Sequence, residues 1–218
     1  MTDGIVHGTM VGLDRDDVDT DTIMPQQFLS GVSATGFGES VFHHWRRTGQ
    51  IPLDDPQRAG AAILVAGDNF GVGSSREHAV WGLKQWGFDA VVAVGFGDIF
   101  KSNCIKNGLA PVALDPASCA ALRTLALTDP TATAQIDIAT GEVTASGFRA
   151  TFELDPITRR MLIEDLDEIA LTLSLEQSIA ELESARPAWL PTTWAELPSR
   201  RTPLALSTRA QRPLEKEL

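Results

Sequence analysis

A short segment of glycines, hydroxyls and one guanidinium holds the residue types best able to do chemistry in this chain. Residues 71–78 read Gly-Val-Gly-Ser-Ser-Arg-Glu-His, after an apolar, strand-like run over 61–66 and at the start of a helix-like run over 77–86. Glycines at a strand-to-helix turn let the backbone approach a ligand closely. The free amides and positive dipole end of the helix favour an anion there. The segment therefore predicts a turn that holds a carboxylate and removes a proton beside it.

A structural role explains part of the same segment. Ser74 and Glu77 have the spacing of a capping box, in which the serine caps the helix and the glutamate returns to the serine amide. Nucleotide-binding motifs do not fit, because Arg76 stands where the dinucleotide fingerprint needs its third glycine and the P-loop sequence Gly-Lys-Ser/Thr is absent. Taken alone, the segment leaves a helix cap and an anion site open.

Other motifs along the chain resemble, in the same order, the swivelling domain of the aconitase superfamily. Residues 19–25 read Asp-Thr-Asp-Thr-Ile-Met-Pro and resemble its N-terminal segment, while residues 71–78 resemble its Gly-x-Gly-Ser-Ser-Arg-Glu-His signature. Further matching blocks lie at 100–103, 107–112 and 169–173. Within the superfamily, the chain is most similar to the small subunits of bacterial isopropylmalate dehydratases. The resemblance implies an α/β fold, a three-layer β/β/α swivelling domain with a mixed, largely parallel sheet.

The resemblance assigns catalysis to two residues. Ser74 matches the serine that acts as an alkoxide and removes a proton from carbon, and Asp21 matches an aspartate that supports the site. A serine hydroxyl is normally neutral at pH 7, so its anion needs support from helix amides and a nearby arginine. Asp21 could instead form an Asx turn within its loop. Both roles for Asp21 stay open at this point.

Substrate binding falls, by the same resemblance, to the residues around Ser74. Arg76 can bind a carboxylate through both arms of its guanidinium, although a salt bridge to an acidic residue would also explain it. Ser75 is expected to donate a hydrogen bond to the substrate. Gly71 and Gly73 are expected to form the anion-binding turn.

An apolar pair after the first motif bears on substrate choice. Phe28 and Leu29 lie in a stretch, residues 26–33, that has no arginine, whereas aconitase proper has one there that binds a carboxylate of citrate. An apolar surface suits an isopropyl group and would leave a further carboxylate unpaired. Phe28 and Leu29 could equally be ordinary core residues.

Composition limits the partners and cofactors of the chain. A net charge of −11 argues against a nucleic-acid surface, and neither a signal peptide nor an apolar run of membrane-spanning length is evident, so a cytoplasmic location is expected. Two cysteines, Cys104 and Cys119, are too few to hold an iron–sulfur cubane, which takes three or four thiolates. The resemblance implies a [4Fe-4S] cluster, so we expect it on a large subunit, in a heterodimer or heterotetramer, and expect no metal on this chain.

The order of apolar runs predicts a sheet with crossover helices. The expected strands are 5–11, 61–66, 90–94, 134–139, 142–145 and 148–154, and the expected helices are 77–86, 98–107, 116–127, 157–165 and 175–184. Residues 1–184 form the predicted swivelling domain. Residues 185–218 form a proline-rich extension that is expected to be partly disordered or to strap a partner.

Two departures from the superfamily pattern keep other functions open. Residues 161–169 lack an Asn-Gly turn that is common there, and Val72 stands where a cysteine is common. A related hydro-lyase acting on homoaconitate, citraconate or a methylated malate would fit the same motifs. So would a non-catalytic anion-binding module, although such a module has no need of the serine base.

Overall fold

A computed structural model describes residues 4–29, 35–187 and 189–190 of the chain. The chain divides into two compact units, Met1–Ser174 and Leu175–Leu218. The strands of the first unit are β1 (Ile5–Gly12), β2 (Ile63–Val65), β3 (Ala90–Ala93), β4 (Ala110–Ala113), β5 (Thr133–Asp137), β6 (Glu142–Ala145) and β7 (Phe148–Thr151). Its α-helices are α1 (Thr20–Ile23), α2 (His43–Arg47), α3 (Glu77–Trp86), α4 (Asp98–Lys106), α5 (Pro116–Thr128), α6 (Pro156–Glu164) and α7 (Glu168–Leu173).

The strands form one seven-stranded sheet in the order β4-β3-β2-β1-β5-β6-β7. Strands β1 to β4 pair in parallel, whereas β1, β5, β6 and β7 pair antiparallel. Strand β1 joins the two halves, because Met10 pairs with Ile63 on one side and Val6 pairs with Ile136 on the other. The predicted mixed sheet is confirmed, and its antiparallel share is as large as its parallel share.

Each face of the parallel half is buried against helices. Leu64 and Val91 point into a first core that includes side chains of α3 and α4, such as Leu83. Ile63 and Val92 point into a second core that includes Leu122, Cys119 and Ala126 of α5. Burial on both faces explains why these strands are continuous apolar runs rather than alternating ones.

Two helices begin at an Asp-Pro pair. The Asp115 carboxylate accepts hydrogen bonds from the amides of Ala117 and Ser118, and Asp155 caps α6 in the same way. A proline in the first helical turn has no amide that would be left unpaired, and its fixed φ suits the helix. The predicted helices over 116–127 and 157–165 are confirmed to within one residue at each end.

Helices α1 and α7 and strand β4 of the first unit were not predicted. Helices α1 and α7 span four and six residues, too few to show a helical period. Strand β4 contains Pro111, which removes a hydrogen-bond donor and is unusual inside a strand. It is accommodated because β4 lies at the edge of the sheet.

The missing Asn-Gly turn leaves a recognisable backbone feature. Asp165 ends α6 in the left-handed conformation, with φ 53° and ψ 46°. Glycine adopts this conformation freely, and aspartate is one of the few other residues that visit it. The departure in sequence therefore does not remove the left-handed turn.

The second unit contributes one described helix, α8 (Glu176–Ser184). The sequence predicted it over 175–184, as the last helix of a domain reaching residue 184. The prediction for residues 185–218 falls largely outside the described residues and stays a prediction. Among the helices that the structure describes, none combines the length and apolar content that a membrane crossing needs.

Candidate active site

Three loops meet at the carboxyl ends of the parallel strands β1, β2 and β3. The amide of Gly71, after β2, donates to the carbonyl of Val18, after β1, at 2.7 Å. The amide of Thr20 donates to the carbonyl of Val72 at 2.9 Å, so the two loops are joined by a short parallel bridge. In open α/β sheets, ligand sites form at this edge of the strands. The position of residues 71–78 therefore suits a ligand site.

Both glycines of the turn have a conformation that favours glycine, and Gly71 also has no room for a side chain. Gly71 has φ 75° and Gly73 has φ 102°, in the region that other residues rarely adopt. A side chain at Gly71 would overlap the ring of Phe100 on α4, and a side chain at Gly97 would lie 2.7 Å from the Gly71 carbonyl oxygen. The predicted turn is thus packed tightly against the start of α4. Anion binding by Gly71 and Gly73 stays a prediction.

The Ser74 hydroxyl contacts Thr20. The Oγ atom of Ser74 lies 3.0 Å from Oγ1 of Thr20, which also lies 3.1 Å from the Ser74 carbonyl oxygen. Helix α3 has Arg76 at its N-cap position, and no side chain caps it. The capping-box alternative for Ser74 is therefore wrong. Ser74 is exposed, whereas Thr20 is 1% exposed, so the pair joins an accessible hydroxyl to a buried one.

Arg76 forms an ion pair with Asp21, the first acidic residue of α1. The Arg76 side chain is 20% exposed and that of Asp21 is 56% exposed. The buried Nη1 atom of Arg76 touches the carboxylate but has no partner in hydrogen-bonding geometry. The structural alternative for Arg76, a salt bridge, is therefore present, and its partner is itself a predicted site residue. The exposed carboxylate of Asp21 does not form an Asx turn; Asp19 caps α1 instead.

A polar network behind the turn was missed by the sequence analysis. The Glu77 carboxylate accepts from Nδ2 of Asn107 at 2.8 Å, and Trp81 Nε1 donates to Oδ1 of Asn107 at 3.0 Å. The His78 ring packs against the rings of Phe37 and Trp81, with centroid distances of 5.2 and 4.7 Å. These contacts hold the first turn of α3 in place. Arg76 directly precedes that turn, so its backbone position is held as well. The Asn107 block was visible in the sequence, but its partner on α3 was not.

Phe28 and Leu29 lie half-buried against the first core. The Phe28 ring meets the His43 ring edge-on at 4.8 Å. A groove of about 510 Å³ runs beside them, lined by Pro25, Gln27, His43, His44, Arg47 and Thr48. Residues 30–33 of the predicted specificity stretch lie outside the described residues. Part of the surface of each side chain is therefore buried by core packing, and contact with substrate stays a prediction for both.

Ser75 is exposed on the same turn as Ser74.

Both cysteines are buried and reduced. Cys104 is 0% exposed and Cys119 is 1% exposed, and Cys119 Sγ donates to the Ala66 carbonyl at 3.2 Å. Burial raises the pKa of Cys119 to about 11 and raises the pKa of Cys104 well above its ordinary value. Thiols in such surroundings stay protonated. Cys104 is therefore a packing residue of the first core.

Comparison with known proteins identifies the family. The model of the aconitase C-terminal domain matches residues 5–117. The 3-isopropylmalate dehydratase small subunit of Parafrankia sp. is 48% identical over 186 residues, which cover 85% of this chain and 95% of the relative. That of Streptomyces griseus is 47% identical over 188 residues, covering 86% and 95%.

A solved structure shares the fold. The crystal structure of 3-isopropylmalate dehydratase from Methanocaldococcus jannaschii matches with a TM-score of 0.61 and 24% identity, over 81% of this chain and 98% of that one. The family match over residues 5–117 includes Asp21 and Ser74. The chain belongs to the aconitase C-terminal domain family, in the group of the 3-isopropylmalate dehydratase small subunits.

Proposed function

We propose that the chain is the small subunit of a two-chain hydro-lyase that interconverts 2-isopropylmalate and 3-isopropylmalate in cytoplasmic leucine biosynthesis. The names of the relatives point to this reaction. The observation that carries the proposal is the exposure of the Ser74 hydroxyl and its contact with Thr20. Its exposed hydroxyl is held by Thr20 rather than used as a helix cap, and it sits two residues before an arginine on a glycine turn. A turn with a purely structural role would not need this arrangement.

The reaction moves a hydroxyl between neighbouring carbons through an alkene. Ser74 Oγ, as the base, takes the proton from one carbon, the C–H electron pair becomes the double bond, and hydroxide leaves the next carbon. Rehydration adds hydroxide to the carbon that lost the proton, and Ser74 returns its proton to the carbon that lost hydroxide. The Ser74 anion would be stabilised by the dipole end of α3 and by the charge of Arg76.

The neighbours of Ser74 would hold the substrate in place. Arg76 would bind one carboxylate through its planar guanidinium, with the Asp21 ion pair setting the orientation of that group. Ser75 would donate a hydrogen bond, and the turn at Gly71 and Gly73 would receive negative charge. Holding the reacting carbon close to the base is itself a large part of catalysis.

The metal centre would come from the partner. We propose that a large subunit bears a [4Fe-4S] cluster and joins this chain in a heterodimer or heterotetramer. The cluster would supply the Lewis acid that helps hydroxide depart. The burial and raised pKa values of Cys104 and Cys119 support this division, because cluster ligands are thiolates.

The apolar side chains after Pro25 would favour an isopropyl group over a further carboxylate. Phe28 and Leu29 are each partly exposed, so both retain surface for such a contact. Homoaconitate, citraconate and methylated malates are the competing substrates of the same reaction type. A non-catalytic anion-binding module is disfavoured by the Thr20 contact with Ser74, since anion binding needs no oriented base.

Reconstitution with a large subunit tests the proposal. The chain alone is expected to be colourless and inactive, and the assembled pair should have its highest kcat/KM with isopropylmalate among these acids. A higher efficiency with another acid would refute the substrate. Stoichiometric cluster absorbance from this chain alone, after anaerobic reconstitution, would refute the division of labour. An assembled pair that binds the acids without turnover would favour the anion-binding module.

A further inference from the structure

The hydroxyl of Thr20 is held in a fixed position beside Ser74. Thr20 is 1% exposed, one of few polar side chains among the described residues that are so deeply buried. Its amide donates to the Val72 carbonyl and its carbonyl accepts from the Met24 amide, both at 2.9 Å. The backbone is thus fixed on both sides of the residue. A β-branched side chain also has few rotamers, so little freedom is left to its Oγ1 atom.

Counting protons shows what this hydroxyl can do. Thr20 Oγ1 has one proton and faces two oxygens of Ser74, the carbonyl at 3.1 Å and Oγ at 3.0 Å. While Ser74 is neutral, it can donate to Thr20, and Thr20 can donate to the carbonyl. Once Ser74 has lost its proton, its Oγ can only accept. The Thr20 proton can then turn to Oγ without movement of any heavy atom.

We propose that Thr20 is a positioning residue that holds Ser74 Oγ and stabilises its deprotonated form by switching its hydrogen bond from the carbonyl to Oγ. This inference rests on the proposed role of Ser74 as the base. A hydrogen bond to a charged acceptor is stronger than one to a neutral acceptor, so the switch favours the anion. The donor is already in place, so little reorganisation accompanies the loss of the proton.

A merely structural role is the alternative. Thr20 could join α1 to the turn and contribute only to stability. The two roles differ in one respect, because only a hydroxyl that acts on the Ser74 proton changes the pH at which the base becomes active.

Three variants of the assembled two-chain enzyme separate these roles. Thr20→Val keeps the shape and removes the hydroxyl, Thr20→Ser keeps the hydroxyl, and Thr22→Val is the matched control on the same helix. Thr20→Val should lower kcat about ten- to a hundred-fold, with KM changed less. The rising limb of log kcat against pH should move up by about one to two units, because the Ser74 anion loses its donor. Thr20→Ser should restore both to within about three-fold, and Thr22→Val should match wild type.

Ser74→Ala, alone and combined with Thr20→Val, distinguishes the two proposals. If Ser74→Ala stays active, the proposed base is wrong. If Ser74→Ala is inactive while Thr20→Val keeps the wild-type kcat and pH profile and only melts earlier as an isolated chain, Thr20 is structural. In the Ser74→Ala background, Thr20→Val should have no further effect on residual activity, and a full additional loss would overturn the inference. Thr20→Ala replaces Thr20→Val if circular dichroism shows that the valine variant is unfolded.

Discussion

At the residue scale, the site consists of two pairs that join the loop after β1 to the turn before α3. Thr20 pairs with Ser74 through hydroxyls, and Asp21 pairs with Arg76 through charge. One member of each pair comes from α1, a single helical turn whose first residue is buried and whose second is exposed. The buried side of α1 thus carries the uncharged partner, and its exposed side carries the charged partner.

The sequence analysis named three of these four residues as candidates but not their pairing. Thr20 lay within the quoted motif at 19–25 and received no role. Its hydroxyl and that of Ser74 are 54 positions apart in the chain. Local spacing carries no information on such contacts, since they depend on how β1 and β2 align in the sheet.

Arg76→Lys is expected to weaken substrate binding by about ten-fold or more in the assembled enzyme. Lysine keeps the charge but cannot reproduce a two-armed contact with a carboxylate. The measurement is KM for isopropylmalate beside the melting temperature of the isolated chain. Arg46→Lys is the matched control, because Arg46 pairs with Asp54 and stacks on Trp86. A loss of stability with unaltered KM would make Arg76 a structural ion pair.

At the element scale, the parallel half of the sheet and its helices follow from the apolar runs. Helices α3, α4 and α5 were predicted to within one residue, because each spans at least nine residues between clear turn signals. Helix α1 and the long-range hydrogen bonds of Arg58 were not predicted. Arg58 is 6% exposed, and its burial is visible only in the folded structure.

Arg58→Leu is expected to lower the free energy of unfolding by about 3 kcal/mol, since buried carbonyls lose a charged donor. The guanidinium donates to the carbonyls of Met10, Ala126 and Leu127, at 3.3, 2.7 and 3.1 Å, and so ties the end of α5 to β1. Chemical denaturation of the isolated chain measures the change. Arg149→Leu, at an exposed arginine of β7, is the control and should change it far less. Equal effects of the two substitutions would show that Arg58 contributes no more than a surface charge.

At the scale of the whole molecule, the proposed anion site lies on an acidic chain of net charge −11. Local chemistry reconciles the two, because Arg76 and the start of α3 act over a few ångströms while the remaining charge is spread over the surface. The composition argues against a nucleic-acid surface, but it could not give the strand order. Strand β1 lies in the centre of the sheet and pairs with β2 and β5, which are far apart in sequence.

The turnover of Ser74→Ala in the assembled two-chain enzyme tests the central claim most directly. The control is Ser146→Ala, at an exposed serine remote in sequence from the turn. The kcat for isopropylmalate is measured with the same amounts of both chains in every assay. The account predicts a fall in kcat of at least ~10²-fold with a smaller change in KM, since removing a general base costs at least that much. A kcat within a few-fold of wild type would contradict the role of Ser74 as the base.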